Sequence, residues 1–192
     1  MKETVKLIGN TPLYHIEDTN IYVKLEKYNI GGSIKDRAVL GMLDAAMNKG
    51  EIRQDTVLVE APSGHTGVAL AMLGAVYHIP VIIIMPETMS MERRQLVKAY
   101  GATLVLTPGE KGMQGAMDEM EGLMKENTNY RSLSQFDNPD NPNAHYETTG
   151  KEILDQLQDV DIFVACIGTG GTFSGVAKRL TEYNPEILCM AG

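Results

Sequence analysis

Two patterns of apolar residues alternate along the chain: short apolar runs, and longer stretches with an apolar residue every three or four positions. Together they predict strands that alternate with helices. Short apolar runs are typical of strands buried in a parallel sheet. These runs lie at residues 21–25, 56–61, 80–85, 103–106, 161–167 and 186–190. Longer stretches in which apolar residues recur every three or four positions predict amphipathic helices. Such stretches lie at residues 36–48, 90–100, 145–157 and 173–183, with a further one marked by Met113, Ala116, Met117, Met120, Leu123 and Met124. Residues 68–77 are strongly apolar throughout and also predict a helix.

This alternation predicts an α/β fold, with three αβα layers around a parallel sheet that carries helices on both faces. The methionine stripe is expected in the core rather than on a ligand surface. Residues 127–144 are polar and rich in proline, which predicts a loop. In such sheets, ligands bind where the carboxyl ends of strands lead into helices. Three turns at these positions carry unusual residues: 33–35, 63–66 and 168–172.

The third of these turns has the composition of a phosphate site. It consists of Gly168, Thr169, Gly170, Gly171 and Thr172, between a predicted strand and a predicted helix. Glycines allow close approach of the backbone to a ligand, and the N-terminus of a helix attracts an anion. The same residues also suit a tight turn without a ligand, because short glycine motifs are weak signals.

The first turn ends in Lys35, which follows two glycines and a serine at a predicted helix start. The positive end of a helix and partial burial both lower the pKa of a lysine, and a neutral amine can react with an aldehyde. A solvated surface lysine is the alternative. The second turn, Ser63 to Gly67, offers amide and hydroxyl donors to a carboxylate or a ring oxygen, and His65 can donate as well. A plain helix entry is its alternative.

Composition narrows the classes of partner. The 192-residue chain is 43% hydrophobic, enough for a substantial core, and its net charge of −8 argues against nucleic acid or an anionic membrane. No apolar run approaches a membrane span, and the N-terminus lacks the pattern of a signal peptide.

Cys166 and Cys189 lie in apolar runs and are expected to be buried thiols rather than metal ligands. His15, His78 and His145 are expected at the surface or in structural roles. A cytoplasmic protein without a metal site is the expectation.

Together the three turns match a phosphate-bearing aldehyde, a lysine that holds it and a neighbouring carboxylate pocket, as pyridoxal phosphate with an amino acid requires. At this point the chain resembles the cysteine synthase family, the O-acetylserine sulfhydrylases among the fold type II pyridoxal-phosphate enzymes, which have a tryptophan-synthase-β-like fold. The resemblance covers nearly all of the chain and rests on six motifs in order. They are residues 8–13, 31–37, 63–67, 85–94, 135–139 and 168–172.

The resemblance implies a role for each matching residue. Lys35 would be the Schiff-base lysine and the general base. Gly168, Thr169, Gly170, Gly171 and Thr172 would form the phosphate cup. The substrate carboxylate would be held by Pro62, Ser63, Gly64, His65, Thr66 and Gln135, with His65 also close to the cofactor ring. The implied reaction is a β-replacement in which sulfide displaces the acetate of O-acetylserine and gives L-cysteine, carried out by a homodimer.

Two departures from the family pattern affect these expectations. Pro62 and His65 stand where the family has threonine and asparagine, so substrate binding and loop closure are open to change. Family members also continue beyond the point where this sequence stops, so the larger domain is expected to be incomplete. That domain is predicted at residues 1–34 and 146–192, with a smaller inserted domain at 35–145. A cystathionine β-synthase-like enzyme and a truncated, non-catalytic binding or regulatory paralog are the alternatives.

Overall fold

The computed structural model describes residues 2–62 and 64–192 and divides the chain into two compact units. The terminal unit comprises Met1–Ala45 and Gln135–Gly192, and the central unit comprises Ala46–Ser134. The sequence-based boundaries, at 34/35 and 145/146, stay a prediction. The two compact units divide within a helix, after Ala45, and again after Ser134.

The helices and strands follow the predicted order. The strands are β1 Leu13–His15, β2 Tyr22–Lys24, β3 Val57–Glu60, β4 Val81–Pro86, β5 Thr103–Thr107, β6 Tyr130–Arg131, β7 Ile162–Ala165 and β8 Leu188–Ala191. The helices are α1 Lys35–Asn48, α2 Thr66–Tyr77, α3 Met91–Ala99, α4 Gly112–Glu126, α5 Asp140–His145, α6 Lys151–Gln156 and α7 Gly171–Tyr183. A π-helical turn, Tyr146–Gly150, joins α5 to α6. Most predicted ends are shifted by a residue or two.

The prediction that residues 127–144 form a loop is wrong in two places. β6 pairs in parallel with β3, through Leu58 and Arg131. Helix α5 begins at Asp140, well before the predicted start. Pro142 is compatible with this helix because it lies in the first turn, where backbone N–H groups have no partner within the helix.

The central unit is built on a parallel sheet with the strand order β5-β4-β3-β6. Strand β4 is almost wholly buried and pairs with β3 on one side and β5 on the other. Val59, Ile84 and Ala116 form the centre of one core cluster, against which Met113 and Met120 pack. The methionine stripe of α4 is therefore in the core as predicted, except for Met117, which is exposed.

The terminal unit contains two small sheets. β1 and β2 form an antiparallel hairpin, so the strands of the chain are not all parallel. β7 and β8 pair in parallel. Phe163 and Cys189 point to one face of that pair and pack against Val176 and Leu180 of α7 and their neighbours.

The prediction of a buried strand at residues 163–167 is wrong in part, because α7 covers one face of β7 and the residues that alternate with Phe163 point to the other. Val164 is 64% exposed and Ile162 is 55% exposed. The expectation for the cysteines is wrong in part, since Cys166 is exposed and Cys189 is half-buried. Within the described ranges, no helix has both the length and the apolar composition needed to cross a bilayer.

Shortening Ile84 to alanine should destabilise the central unit. Ile84 is fully buried at the centre of the sheet, so the substitution removes buried apolar contacts and leaves a cavity. We expect the free energy of unfolding to fall by about 2–5 kcal/mol. Urea unfolding followed by circular dichroism measures the change. Leu106→Ala is the matched control because Leu106 lies on the neighbouring strand and is 44% exposed. Equal losses in the two variants would contradict the assignment of the core.

Candidate functional site

Lys35 is the first residue of α1, where the preceding glycine loop meets the helix. Its backbone N–H donates to the hydroxyl of Ser33 at 3.1 Å. The next residue, Asp36, is buried and accepts a hydrogen bond from the backbone of Gly31 at 2.6 Å, which holds the loop against the helix. Burial lowers the pKa of the Lys35 amine. The amine is thus more readily neutral, and hence nucleophilic, than that of a surface lysine.

A buried ion network anchors α1 two residues further on. Arg37 is 3% exposed, and its guanidinium binds two carboxylates, each through two nitrogens. Its distances to Glu152 are 2.6 and 2.7 Å, and those to Glu26 are 2.8 and 2.9 Å. Lys24 adds a second cation 2.7 Å from Glu152. Burial by itself raises the pKa of Glu152, but the bonds from Arg37 and Lys24 outweigh it and bring the pKa to about 2.

The glycine turn lies at the N-terminus of α7. Gly170 precedes the helix with φ +82°, a conformation that a side chain disfavours, and Gly171 is buried as the first helical residue. The first N–H groups of a helix have no intrahelical acceptors, so this end of α7 offers donors to an anion. Thr169 is held in place by Asn141, whose Nδ2 donates to Oγ1 of Thr169 at 3.0 Å.

Asn141 also links this turn to Gln135. The side-chain nitrogen of Asn141 donates to the backbone oxygen of Gln135 at 2.8 Å, and Gln135 itself is 7% exposed. A Cβ at Gly171 would overlap the amide of Asn141, so only glycine permits this packing. A cavity of about 210 Å³ lies beside these residues. Its lining includes Gln135, Asn138, Asn141, Thr169, Gly170 and Gly171.

His145 contacts the last residue of the glycine turn. Its Nε2 lies 3.3 Å from the hydroxyl of Thr172, and its Nδ1 lies 2.9 Å from the hydroxyl of Thr149. The imidazole is 1% exposed, so of the two expectations for His145 the surface position is wrong and the structural role holds. Burial, together with the nearby charges of Arg37 and Lys35, lowers the pKa of His145 to about 4. The ring is therefore neutral at pH 7, with one nitrogen donating and the other accepting.

The terminal unit thus contains three of the predicted features, namely Lys35, the glycine turn and Gln135. Lys35 is close enough to His145 to influence its pKa, His145 contacts Thr172, and Asn141 connects Thr169 to Gln135. The arrangement fits the phosphate of a cofactor aldehyde. A helix N-terminus with an αL glycine would hold the phosphate, and the half-buried amine of Lys35, in the same unit, would react with the aldehyde.

The remaining predicted residues belong to the central unit, in the turn between β3 and α2. Pro62 is buried, and its ring would collide with a Cβ at Gly67. Gly64 has open space around it, His65 is exposed, and Thr66 begins α2 and is 5% exposed. Ser63 lies outside the described residues.

Comparison with known proteins identifies the family of the chain. The sequence profile described as pyridoxal-phosphate dependent enzyme matches residues 5–191. The chain belongs to this family. A cysteine synthase of a Flavobacterium species is 44% identical over 99% of the chain, and one of Staphylococcus aureus is 46% identical over 97%. The chain spans 64% and 62% of the length of these two relatives.

Solved structures show the same fold. A hydrogen sulfide-producing enzyme from Fusobacterium nucleatum has a TM-score of 0.91 and 48% identity, over 96% of this chain and 62% of that one. A cysteine synthase from Entamoeba histolytica has a TM-score of 0.93 and 41% identity, over 98% of this chain and 59% of that one. The predicted α/β architecture of fold type II is confirmed.

Two residues that contact the glycine turn were not predicted from the sequence. Asn141 lies in a run of polar and proline residues that is typical of a loop. His145 is an isolated histidine, and isolated histidines are mostly structural. The spacing of His145 and Thr149 by four positions in a helical segment is a signal for a side-chain pair, but it does not reveal the contact with Thr172.

Gly171→Ala should weaken binding of pyridoxal phosphate. The added methyl group would push the Asn141 amide away from Thr169 and disturb the turn. We expect at least a tenfold loss of affinity in an absorbance titration with pyridoxal phosphate. Gly122→Ala is the control, because a Cβ at Gly122 in α4 has nothing within 4 Å. An unchanged affinity of Gly171→Ala would contradict the proposed phosphate position.

Replacing His145 with glutamine should alter the pH dependence of stability. Since the pKa is about 4 in the folded protein against an ordinary 6.5, the unfolded chain binds more protons between these values. The free energy of unfolding of the wild type therefore falls as the pH drops through this window, by up to about 3 kcal/mol, and the variant lacks this contribution.

Urea unfolding of both proteins at several pH values measures the effect of His145. Burial raises the pKa of Asp36 to about 6, so this residue titrates in the same range. Asp36 is present in both proteins, and its contribution cancels in the difference between them. A difference that does not vary with pH would show that His145 is not held neutral in the fold.

Proposed function

We propose that the chain carries the cofactor-binding machinery of a cysteine synthase, which converts O-acetylserine and sulfide into L-cysteine and acetate. The observation that carries this proposal is Lys35, a half-buried lysine of lowered pKa in the same unit as the glycine turn of α7. The relatives named cysteine synthase support the choice of reaction. Because the chain spans less than two thirds of their length, activity of these 192 residues is part of the proposal.

Each group has a defined task in this reaction. Pyridoxal phosphate, when bound, supplies an electron sink for the carbon that loses its proton. The amine of Lys35 holds the cofactor and takes the proton from the α-carbon of the substrate. Acetate leaves the β-carbon with its bonding electrons, sulfide forms the new carbon–sulfur bond, and Lys35 returns the proton to the α-carbon.

Binding residues complete the proposal. Gly168 to Thr172 hold the phosphate through backbone N–H groups and hydroxyls. Gln135 and the turn of Pro62, Ser63, Gly64, His65 and Thr66 bind the carboxylate of the amino acid. His65 stands where the family has an asparagine and would supply an imidazole hydrogen-bond donor to the cofactor. Pro62 packs against Gly67 near the start of α2, and its ring fixes its own φ, which a threonine would leave free.

A homodimer in the cytoplasm is the proposed form of the protein. Exposed apolar side chains on and beside the β1–β2 hairpin support an interface with a second copy. They are Tyr14, Ile16, Ile21, Tyr22 and Val23. The free thiols of Cys166 and Cys189 support a reducing compartment.

Lys35→Ala tests the assignment of the cofactor lysine. We expect the wild type to gain a visible absorption band when pyridoxal phosphate is added, and this band to be absent in the variant. Lys125→Ala is the matched control, because Lys125 is an exposed lysine, with a side chain 78% accessible. A wild type without a band would overturn cofactor binding, and an unchanged band in Lys35→Ala would overturn the role of Lys35.

The reaction is tested on the cofactor-loaded wild type. With O-acetylserine and sulfide, we expect release of L-cysteine and acetate in equal amounts. Cofactor binding without turnover of any β-substituted amino acid would favour a binding or regulatory role. Turnover with homocysteine in place of sulfide would favour a cystathionine β-synthase-like enzyme.

A further inference from the structure

Glu60 is a buried carboxylate at the carboxyl end of β3, immediately before the turn that begins at Ala61. Glu60 is only 6% exposed. Burial raises the pKa of Glu60, and three hydrogen bonds oppose that effect. A carboxylate in such a place is costly unless its oxygens are well satisfied, so its partners indicate why it is there.

The partners of Glu60 are three consecutive residues that follow β6. Its Oε1 accepts hydrogen bonds from the hydroxyl of Ser132 at 2.8 Å, the backbone N–H of Leu133 at 2.7 Å and the backbone N–H of Ser134 at 3.1 Å. One oxygen atom therefore fixes residues that are more than seventy positions away in the sequence. Hydrogen bonds to a charged acceptor are stronger than those between neutral groups.

This contact begins where the backbone pairing of the sheet stops. β6 pairs with β3 through Tyr130 and Arg131, and no further pair between the two strands is formed among the described residues. The backbone N–H groups of Leu133 and Ser134 lie beyond the last pair. The carboxylate of Glu60 accepts hydrogen bonds from these two N–H groups, as a backbone carbonyl of a paired strand would.

The segment is also held in an uncommon conformation. Ser134 has φ +51°, which is rare for a residue with a side chain. Such a conformation persists when the surroundings determine it and is often found near functional sites. The Glu60 bond to Ser134 N–H, together with a second bond from that N–H to the Ser132 hydroxyl at 3.0 Å, supplies this constraint.

The residue that follows this segment is Gln135. Its backbone oxygen is bound by Asn141, which also binds Thr169 of the glycine turn. The backbone is thus restrained on both sides of Gln135, by Glu60 through Ser134 and by Asn141. A glutamine that contacts a substrate needs such restraint, because small errors in position are costly for binding and catalysis.

We propose that Glu60 is a positioning residue for Gln135, which it orients by holding residues 132–134 in a single backbone conformation. This inference rests on the proposed function, in which Gln135 binds the carboxylate of the amino-acid substrate. Glu60 does not touch the substrate itself. It acts through the peptide chain, and its effect is therefore on substrate binding more than on the chemical step.

Hydrogen exchange tests whether Glu60 holds the segment, independently of any activity. In the cofactor-loaded protein we expect the amides of Leu133 and Ser134 to be protected, and Glu60→Ala to speed their exchange at least tenfold. Glu60→Gln keeps an acceptor oxygen at the same position and should restore much of the protection. Unchanged exchange in Glu60→Ala would overturn the proposal.

Kinetics with O-acetylserine test the link to Gln135. We expect Glu60→Ala to raise KM for O-acetylserine at least tenfold with a smaller change in kcat, and Gln135→Ala to raise KM in the same direction. The KM of the double variant should be little higher than that of either single variant, because both substitutions disrupt the same contact of Gln135 with the substrate. Glu119→Ala is the control, as Glu119 is an exposed glutamate of α4.

The outcomes separate the two hypotheses. A wild type that binds pyridoxal phosphate but has no activity overturns the proposed function, and the exchange data still decide whether Glu60 holds the segment. If the wild type is active and the KM of Glu60→Ala stays within twofold, Glu60 does not position Gln135. Should Glu60→Ala fail to fold, Ser132→Ala, which removes one of the three donors, is expected to give a smaller rise in both exchange rate and KM. An effect on stability alone would overturn the proposal.

Discussion

The buried guanidinium of Arg37 is the interaction on which the terminal unit depends. Glu26 and Glu152 each bind it through two oxygens, so a helix near the N-terminus, the chain before it and the distant α6 meet at one cation. Loss of one partner would leave a buried charge uncompensated, at a cost of about 3–5 kcal/mol. Lys35 lies two residues before Arg37 on the same helix. The ion network thus anchors the first turn of the helix that carries Lys35.

Close packing of small residues has a similar role around the glycine turn. Gly171 and Gly175 of α7 leave room for Asn141 and for the backbone of Pro142, and Gly41 of α1 makes room for Ala144. Side chains larger than hydrogen would separate these helices. Because these helices lie so close together, His145 is buried, stays neutral and contacts Thr172. Backbone packing therefore determines the protonation state of a side chain that orients the turn.

Local signals in the sequence were sufficient for much of this description. The two periodicities located most helices and strands, since burial of one face imposes a regular spacing of apolar residues. Lys35, Gly170 and Gly171 were predicted because glycines and a helix start are local features of the chain. The helical start at Asp140 was missed because Pro139 and Pro142 indicate a loop unless the first turn of a helix is considered. The burial of β7 was overestimated because an apolar strand does not reveal how many of its faces are covered.

Contacts between distant residues were beyond the reach of these signals. Glu60 with Ser134, Asn141 with Thr169, and Arg37 with Glu152 are separated by 74, 28 and 115 positions, and no periodicity encodes such pairs. The amino-acid sequence was enough to predict the α/β architecture and the cofactor class, because motifs and periodicity are properties of neighbouring residues. The pKa of His145, the bonds that hold the glycine turn and the role of a buried glutamate depend on folding, since burial and hydrogen bonding arise when separate segments pack together.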